Sequence, residues 1–245
     1  MFQIICERVI LSGHEIEHYQ YLDKPIHRGY KRQKRKDKKE PKKQTEKSKF
    51  SVSRTITEIR RIISNNPQLT KFLTLTFGDN ITDVSIANHL FNLFTQRVKD
   101  KYPEFQYFAV IEFQKDVDHK GNPKPDGGAL HFHLLCNLRY VVAKKIAKIW
   151  GQGFIKINRK KESDRLREYL SKYLWKDMRD ERLFHKKKYF CSQDLTRSTE
   201  IINDEAKFFM KNSDKNFNFI EKLTFSNAHT GKCLYRRYNF KNYKP

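Results

Sequence analysis

The sequence predicts an α+β fold, an antiparallel sheet carrying helices. Three observations predict it. Segments that alternate apolar and β-branched residues are interleaved with segments whose apolar residues recur at helical spacing. The links between them are short, which favours pairing of successive strands. A hydrophobic fraction of 38% and an aromatic fraction of 13%, over 245 residues, supply enough material for a core.

The elements follow in order. From Ser51 to Ser64, Val52, Ile56, Ile59, Ile62 and Ile63 recur at helical spacing, and Asn65-Asn66-Pro67 stops the helix. Phe72-Leu-Thr-Leu-Thr-Phe77 alternates as a strand, and Gly78-Asp79-Asn80 turns the chain. Asp83 can cap a helix running to about Lys101, with Ile86, Leu90, Leu93, Phe94 and Val98 on one face, and Pro103 ends it. Phe105–Phe113 and Ala129–Cys136 read as a hairpin around a loop rich in glycine and proline. A short amphipathic helix, Val141 to Trp150, closes at Gly151; a strand follows from Gly153 to Asn158, then a helix from Ser163 to Lys176. The resulting β-α-β-β-α-β-α order is that of ferredoxin-like and RRM-like α+β sheets, with helices expected on one face. Beyond Asp177 the pattern predicts a helix near Asp204 to Lys211 and two strands, Phe217 to Phe225 and Lys232 to Phe240.

Four segments emerge: 1–27, which no pattern assigns; a basic arm, 28–50; a main domain, 51–198; and a C-terminal α/β extension, 199–245. The arm reads RGYKRQKRKDKKEPKKQTEKSK from Arg28, a like-charge block with almost nothing to bury. It suits a solvated linker or a segment that tracks phosphates.

Fifty-one Lys and Arg against 28 Asp and Glu leave a net charge of +23, which excludes an ordinary enzyme of small neutral metabolites and points to a polyanion. Basic and aromatic together suit a surface that grips phosphates and stacks bases. No apolar run reaches membrane-spanning length, so no membrane partner is expected. The four cysteines never form a CxxC pair, which argues against a zinc ribbon or disulfide framework and fits a reducing cytoplasm.

Two constellations can carry chemistry. In His131-Phe132-His133 the imidazoles share one strand face while Phe132 takes the other. Glu112, the lone acid in the partner strand, is a third donor. Two imidazoles and a carboxylate suit Mg²⁺ or Mn²⁺ for phosphate chemistry, or Fe²⁺ for oxygen chemistry. Cys136 lies at odd spacing from both histidines and is set aside. The second constellation is a doubled Tyr-x-x-Lys: Tyr169 and Tyr173 are four apart on one helix face, followed at three by Lys172 and Lys176. A phenol can attack phosphorus when aligned, with cations offsetting its high pKa.

Phe72–Phe77, His131-Phe-His-Leu-Leu135 and Tyr169-Leu-Ser-Lys-Tyr-Leu-Trp-Lys176 resemble, in order, the three motifs of the HUH endonuclease superfamily, specifically rolling-circle replication initiators of the two-tyrosine phage or plasmid type. The similarity covers roughly residues 51 to 198, where Lys187-Lys-Tyr-Phe-Cys-Ser192 is similar to the phage subgroup. The resemblance implies an HUH endonuclease domain in which His131, His133 and Glu112 bind Mg²⁺ or Mn²⁺. It implies that Tyr173 attacks a single-stranded DNA origin, leaving a 5′-phosphotyrosyl link and a free 3′-hydroxyl. Lys176 would steady the phosphate, and Tyr169 with Lys172 would serve a second transfer that closes the circle. Thr74 and Thr76 in the first motif share a sheet face and could hydrogen-bond DNA. A host helicase and polymerase are the implied partners, since no Walker A pattern is present. The rival readings are an HUH-type transposase, a non-catalytic nucleic-acid-binding protein, and an iron oxygenase that would leave the charge unexplained.

Overall fold

The computed structural model describes residues 5–23, 44–117, 120–159, 180–183, 186–187, 189–213, 216–227 and 231–241. In chain order its elements are β1 (Cys6–Ser12), β2 (Glu15–Tyr21), α1 (Gln44–Asn65), β3 (Lys71–Phe77), α2 (Val84–Lys101), β4 (Tyr107–Phe113), β5 (Leu130–Cys136), α3 (Ala143–Trp150), β6 (Gly153–Arg159), β7 (Tyr189–Cys191), β8 (Thr199–Ile202), α4 (Asn203–Ser213), β9 (Phe217–Asn227) and β10 (Gly231–Phe240). They form two units, one of residues 46–195 and one of 1–45 with 196–245.

In the unit of residues 46–195 five antiparallel strands run in the order β6-β3-β5-β4-β7. Counting from β3, the first four strands lie fourth, first, third, second, an order compatible with the ferredoxin-like arrangement expected from the sequence. Odd residues of β3 and even residues of β5 face α2 and α3. There Leu73, Leu75, Phe91, Phe94, Phe132 and Trp150 form the main core. Asp83 caps α2 as expected, accepting from the backbone N–H of Ser85 at 2.6 Å and Ile86 at 3.1 Å. Gly151, at φ +64°, ends α3 by donating its N–H to the Ala147 carbonyl at 2.9 Å.

Helices do not keep to one face. Ile59, Ile62 and Ile63 of α1 pack on the opposite side against Phe72, Phe108, Val110 and Leu135. The strands are apolar on both faces at that end, so both require cover. The same helix begins at Gln44, inside the stretch read as arm. Gln, Glu and Lys are good helix formers, and they extend a helix whose packing is supplied further along.

The other unit is built from both chain ends. Its antiparallel sheet has the order β8-β1-β2-β10-β9, so β1 and β2, from the segment 1–27 that no pattern assigned, pair directly with C-terminal strands. Val9, Ile16, Ala206 and Phe217 form its core beneath α4. Sequence patterning missed β7 and β8 because strands of three and four residues are too short to display alternation.

Gly153 opens β6 at φ +145°, and a Cβ there would lie 2.3 Å from the Gly78 nitrogen and 2.5 Å from the Thr76 carbonyl oxygen. Gly153→Ala is expected to destabilise this unit by about 2 kcal/mol or more. Urea midpoints check it; an unchanged midpoint would contradict this packing.

Candidate metal centre and nucleic-acid interface

Register decides which side chains meet on the face opposite α2 and α3. Across the strands, Phe154, Thr76, His131 and Glu112 occupy one row, and Lys156, Thr74, His133 and Val110 the next. The i, i+2 spacing in β5 therefore sets both imidazoles on one face, and β4 places Glu112 beside them. Phe132 between them points into the core.

His133 is largely buried, its side chain 7% exposed, and Glu112 is 15% exposed. Nε2 of His133 donates to Glu112 Oε2 at 2.5 Å. Its Nδ1 meets the Thr74 hydroxyl at 3.1 Å, and its ring stacks on Phe72 with centroids 5.6 Å apart. Three neighbours thus hold one imidazole in one orientation, an arrangement that suits a ligand or a base. Thr74, named above as a residue that could hydrogen-bond DNA, meets this histidine.

His131 lies beside His133, ring centroids 6.3 Å apart. Burial, reinforced by the neighbouring His133, pushes its pKa down to about 4, so it is neutral at physiological pH with a lone pair to offer. Its Nε2 accepts from the Gln114 amide, and Gln114 Oε1 accepts from Lys124 Nζ at 3.2 Å. The sequence reading missed Gln114 and Lys124. Gln114 was open to discovery, because it follows Glu112 by two in the strand direction; Lys124 lies in an irregular loop with no periodic signal. Lys156 and Phe154, the latter 74% exposed, were missed too, though alternation along β6 puts both on the histidine face.

Cys136 faces away as expected, buried in the core among residues of the helix side, and burial pushes its thiol up to about 12. Tyr169, Lys172, Tyr173 and Lys176 lie outside the described residues. Among the described residues no group of three or more His, Cys, Asp and Glu is drawn together tightly enough to hold a metal ion. The donor types nonetheless suit a hard or borderline divalent cation: two neutral-capable imidazoles and one carboxylate on a shared face, with Glu112 and His133 already in contact.

The loop after β4 is held by Arg182. It donates to Asp180 Oδ2 at 2.6 Å and Asp116 Oδ1 at 3.1 Å, and its guanidinium carbon sits 3.7 Å from the Phe113 ring centroid. The Gly128 N–H and then Arg182 hold the Asp116 carboxyl below its usual range; Arg182 does the same for Asp180. Both pKa values are depressed by folding, so the stability they add is complete above about pH 4 and drains away as pH falls through the lower folded values. Arg182→Gln should therefore be less stable than the parent at neutral pH, with the difference closing as pH falls through those lowered folded values. Urea midpoints across that range check the sign; a gap that widens in acid would contradict it.

Residues 70–178 match a family model described as replication-associated protein ORF2. No curated protein and no solved structure matches the chain. The matched span contains β3 to β6, hence Glu112, His131 and His133, and reaches through the doubled Tyr-x-x-Lys.

Proposed function

Over residues 70–178 the chain is similar to replication-associated proteins of the ORF2 kind, and from that premise we propose that it starts rolling-circle replication by nicking and rejoining single-stranded DNA through a tyrosine. The observation that carries this reading is the placing of His131, His133 and Glu112 side by side across β4 and β5, inside the matched span. The net charge of +23 supports a DNA substrate, and Lys156 and Phe154 beside the histidine rows are suited to a phosphate and a base.

In the proposed reaction the phenol oxygen of Tyr173 forms a bond to the scissile phosphorus. The bond from phosphorus to the 3′-oxygen breaks, and the proton lost by the phenol is balanced by one gained at that oxygen. The products are a 5′-phosphotyrosyl link and a 3′-hydroxyl primer. The link keeps the phosphodiester energy for rejoining, where Tyr169 and Lys172 serve the second transfer. Lys176 is assigned to the phosphate. His131, His133 and Glu112 would hold Mg²⁺ or Mn²⁺, which supplies charge withdrawal from the phosphate when bound. Thr74 and Phe72 fix the His133 ring for that task. Among the described residues no helix is long and apolar enough to cross a membrane. Helicase and polymerase partners would come from the host.

The test is a labelled single-stranded DNA incubated with the intact chain and Mn²⁺, then denatured and resolved. A covalent protein–DNA adduct is expected, and chelation before mixing should remove it. Salt-sensitive binding without any adduct would favour a non-catalytic DNA-binding protein and overturn the proposal.

A further inference from the structure

A cavity of about 510 Å³ opens on the helix side of the same sheet, where β3 begins and β6 ends near the start of α3. Leu73 and Ile157 belong to its wall on the side away from His131 and His133. Lys71 lies three residues from Thr74 along β3, about 10 Å at strand rise. The cavity is thus separate from the candidate metal centre.

Its wall has a divided chemistry. Most of the lining is aliphatic, with no carboxylate, and its side-chain polar groups are Lys71, Arg139 and Tyr140. Tyr140 is 89% exposed, an unusual position for a ring that could pack. The first turn of α3 borders the cavity at Ala143, and the residue before it gives that turn no side-chain cap. Lys144 and Lys145, both exposed, occupy that turn, and it contains no acid. Cations at the positive end of a helix dipole cost stability that a bound anion would offset. A ligand that joins an anionic group to a flat apolar one matches the residue types of the wall, and the volume is within the usual range of ligand cavities.

We propose that this cavity is a nucleotide subsite, taking a base against Tyr140 and its phosphate between Lys71, Arg139 and the start of α3. The same chemistry is presented by a nucleotide within single-stranded DNA and by a free deoxynucleotide. The subsite does not depend on strand cleavage, so its test is run on the intact chain with chelator present.

Two probes separate the sources: an oligonucleotide containing 5-bromodeoxyuridine, and 5-bromodeoxyuridine monophosphate. Irradiation should crosslink the probe at Tyr140, mapped by peptide mass. Tyr140→Ala should weaken binding about five- to tenfold while Tyr140→Phe retains it, since stacking needs the ring and not the hydroxyl. Lys71→Gln with Arg139→Gln should reduce the slope of log affinity against log salt by about one per lost phosphate contact. Losses confined to the oligonucleotide assign the subsite to a DNA strand, and losses confined to the monophosphate assign it to a free nucleotide. If both probes bind all variants as they bind the parent, at unchanged melting temperature, or if every crosslink maps elsewhere, the subsite does not exist.

Discussion

Tyr173→Phe is expected to abolish the covalent adduct with single-stranded DNA and lower nicking by ~10³-fold or more, because the substitution deletes the oxygen proposed to attack and little else. Binding to the same DNA should persist, since the phosphate-gripping charge of the chain is untouched. Tyr169→Phe separates the two phenols: first-strand cleavage is expected to survive while circle closure falls. Gel analysis of adduct and closed product checks both. An adduct that forms in Tyr173→Phe and also in the double variant would remove both phenols from the chemistry and sink the proposed mechanism. Circle closure at the parent rate in Tyr169→Phe would remove that residue from the site.

The second large effect is structural. Phe132 is fully buried between the two histidines in sequence; its ring stacks on Phe91 with centroids 4.3 Å apart and a 13° interplanar angle. It also meets the rings of Phe77 at 6.3 Å and Phe190 at 6.0 Å. Phe132→Ala should cost about 3–5 kcal/mol, because the surrounding aromatic groups cannot collapse together to fill the space it leaves. For a unit of this size the melting midpoint should drop by about 10 °C or more. Phe132→Leu should lose clearly less. Thermal unfolding followed by far-UV circular dichroism checks both, and a drop under about 3 °C for the alanine variant would contradict the packing described. The same substitution loosens β5 at the point where it carries His131 and His133, so nicking should fall with stability.

Much of the sheet was legible locally. Asp83 before Val84 and Gly151 after Trp150 marked helix ends because capping is decided within a few residues. Alternation in Phe72–Phe77 and Ala129–Cys136 separated the two faces for the same reason, and it placed Cys136 away from the histidines. β1 and β2 pair with each other as a hairpin, but their outer neighbours are β8 and β10, about two hundred residues later, and local patterning carries no information about that pairing. Lys124 stayed hidden for a related reason. Its approach to Gln114, beside His131, depends on how the loop between β4 and β5 folds back, which scattered glycines and prolines leave open.

By itself the sequence determined the polyanionic class of partner, the strand bearing two imidazoles on one face, and the motif order that resembles replication initiators, because charge, spacing and order are properties of the chain alone. Only the tertiary structure decided that Glu112 touches His133, that Thr74 and Phe72 orient that ring, and that α1 covers the other end of the histidine face. Those contacts join strands through sheet register, and register is settled by which residues the two cores bury together.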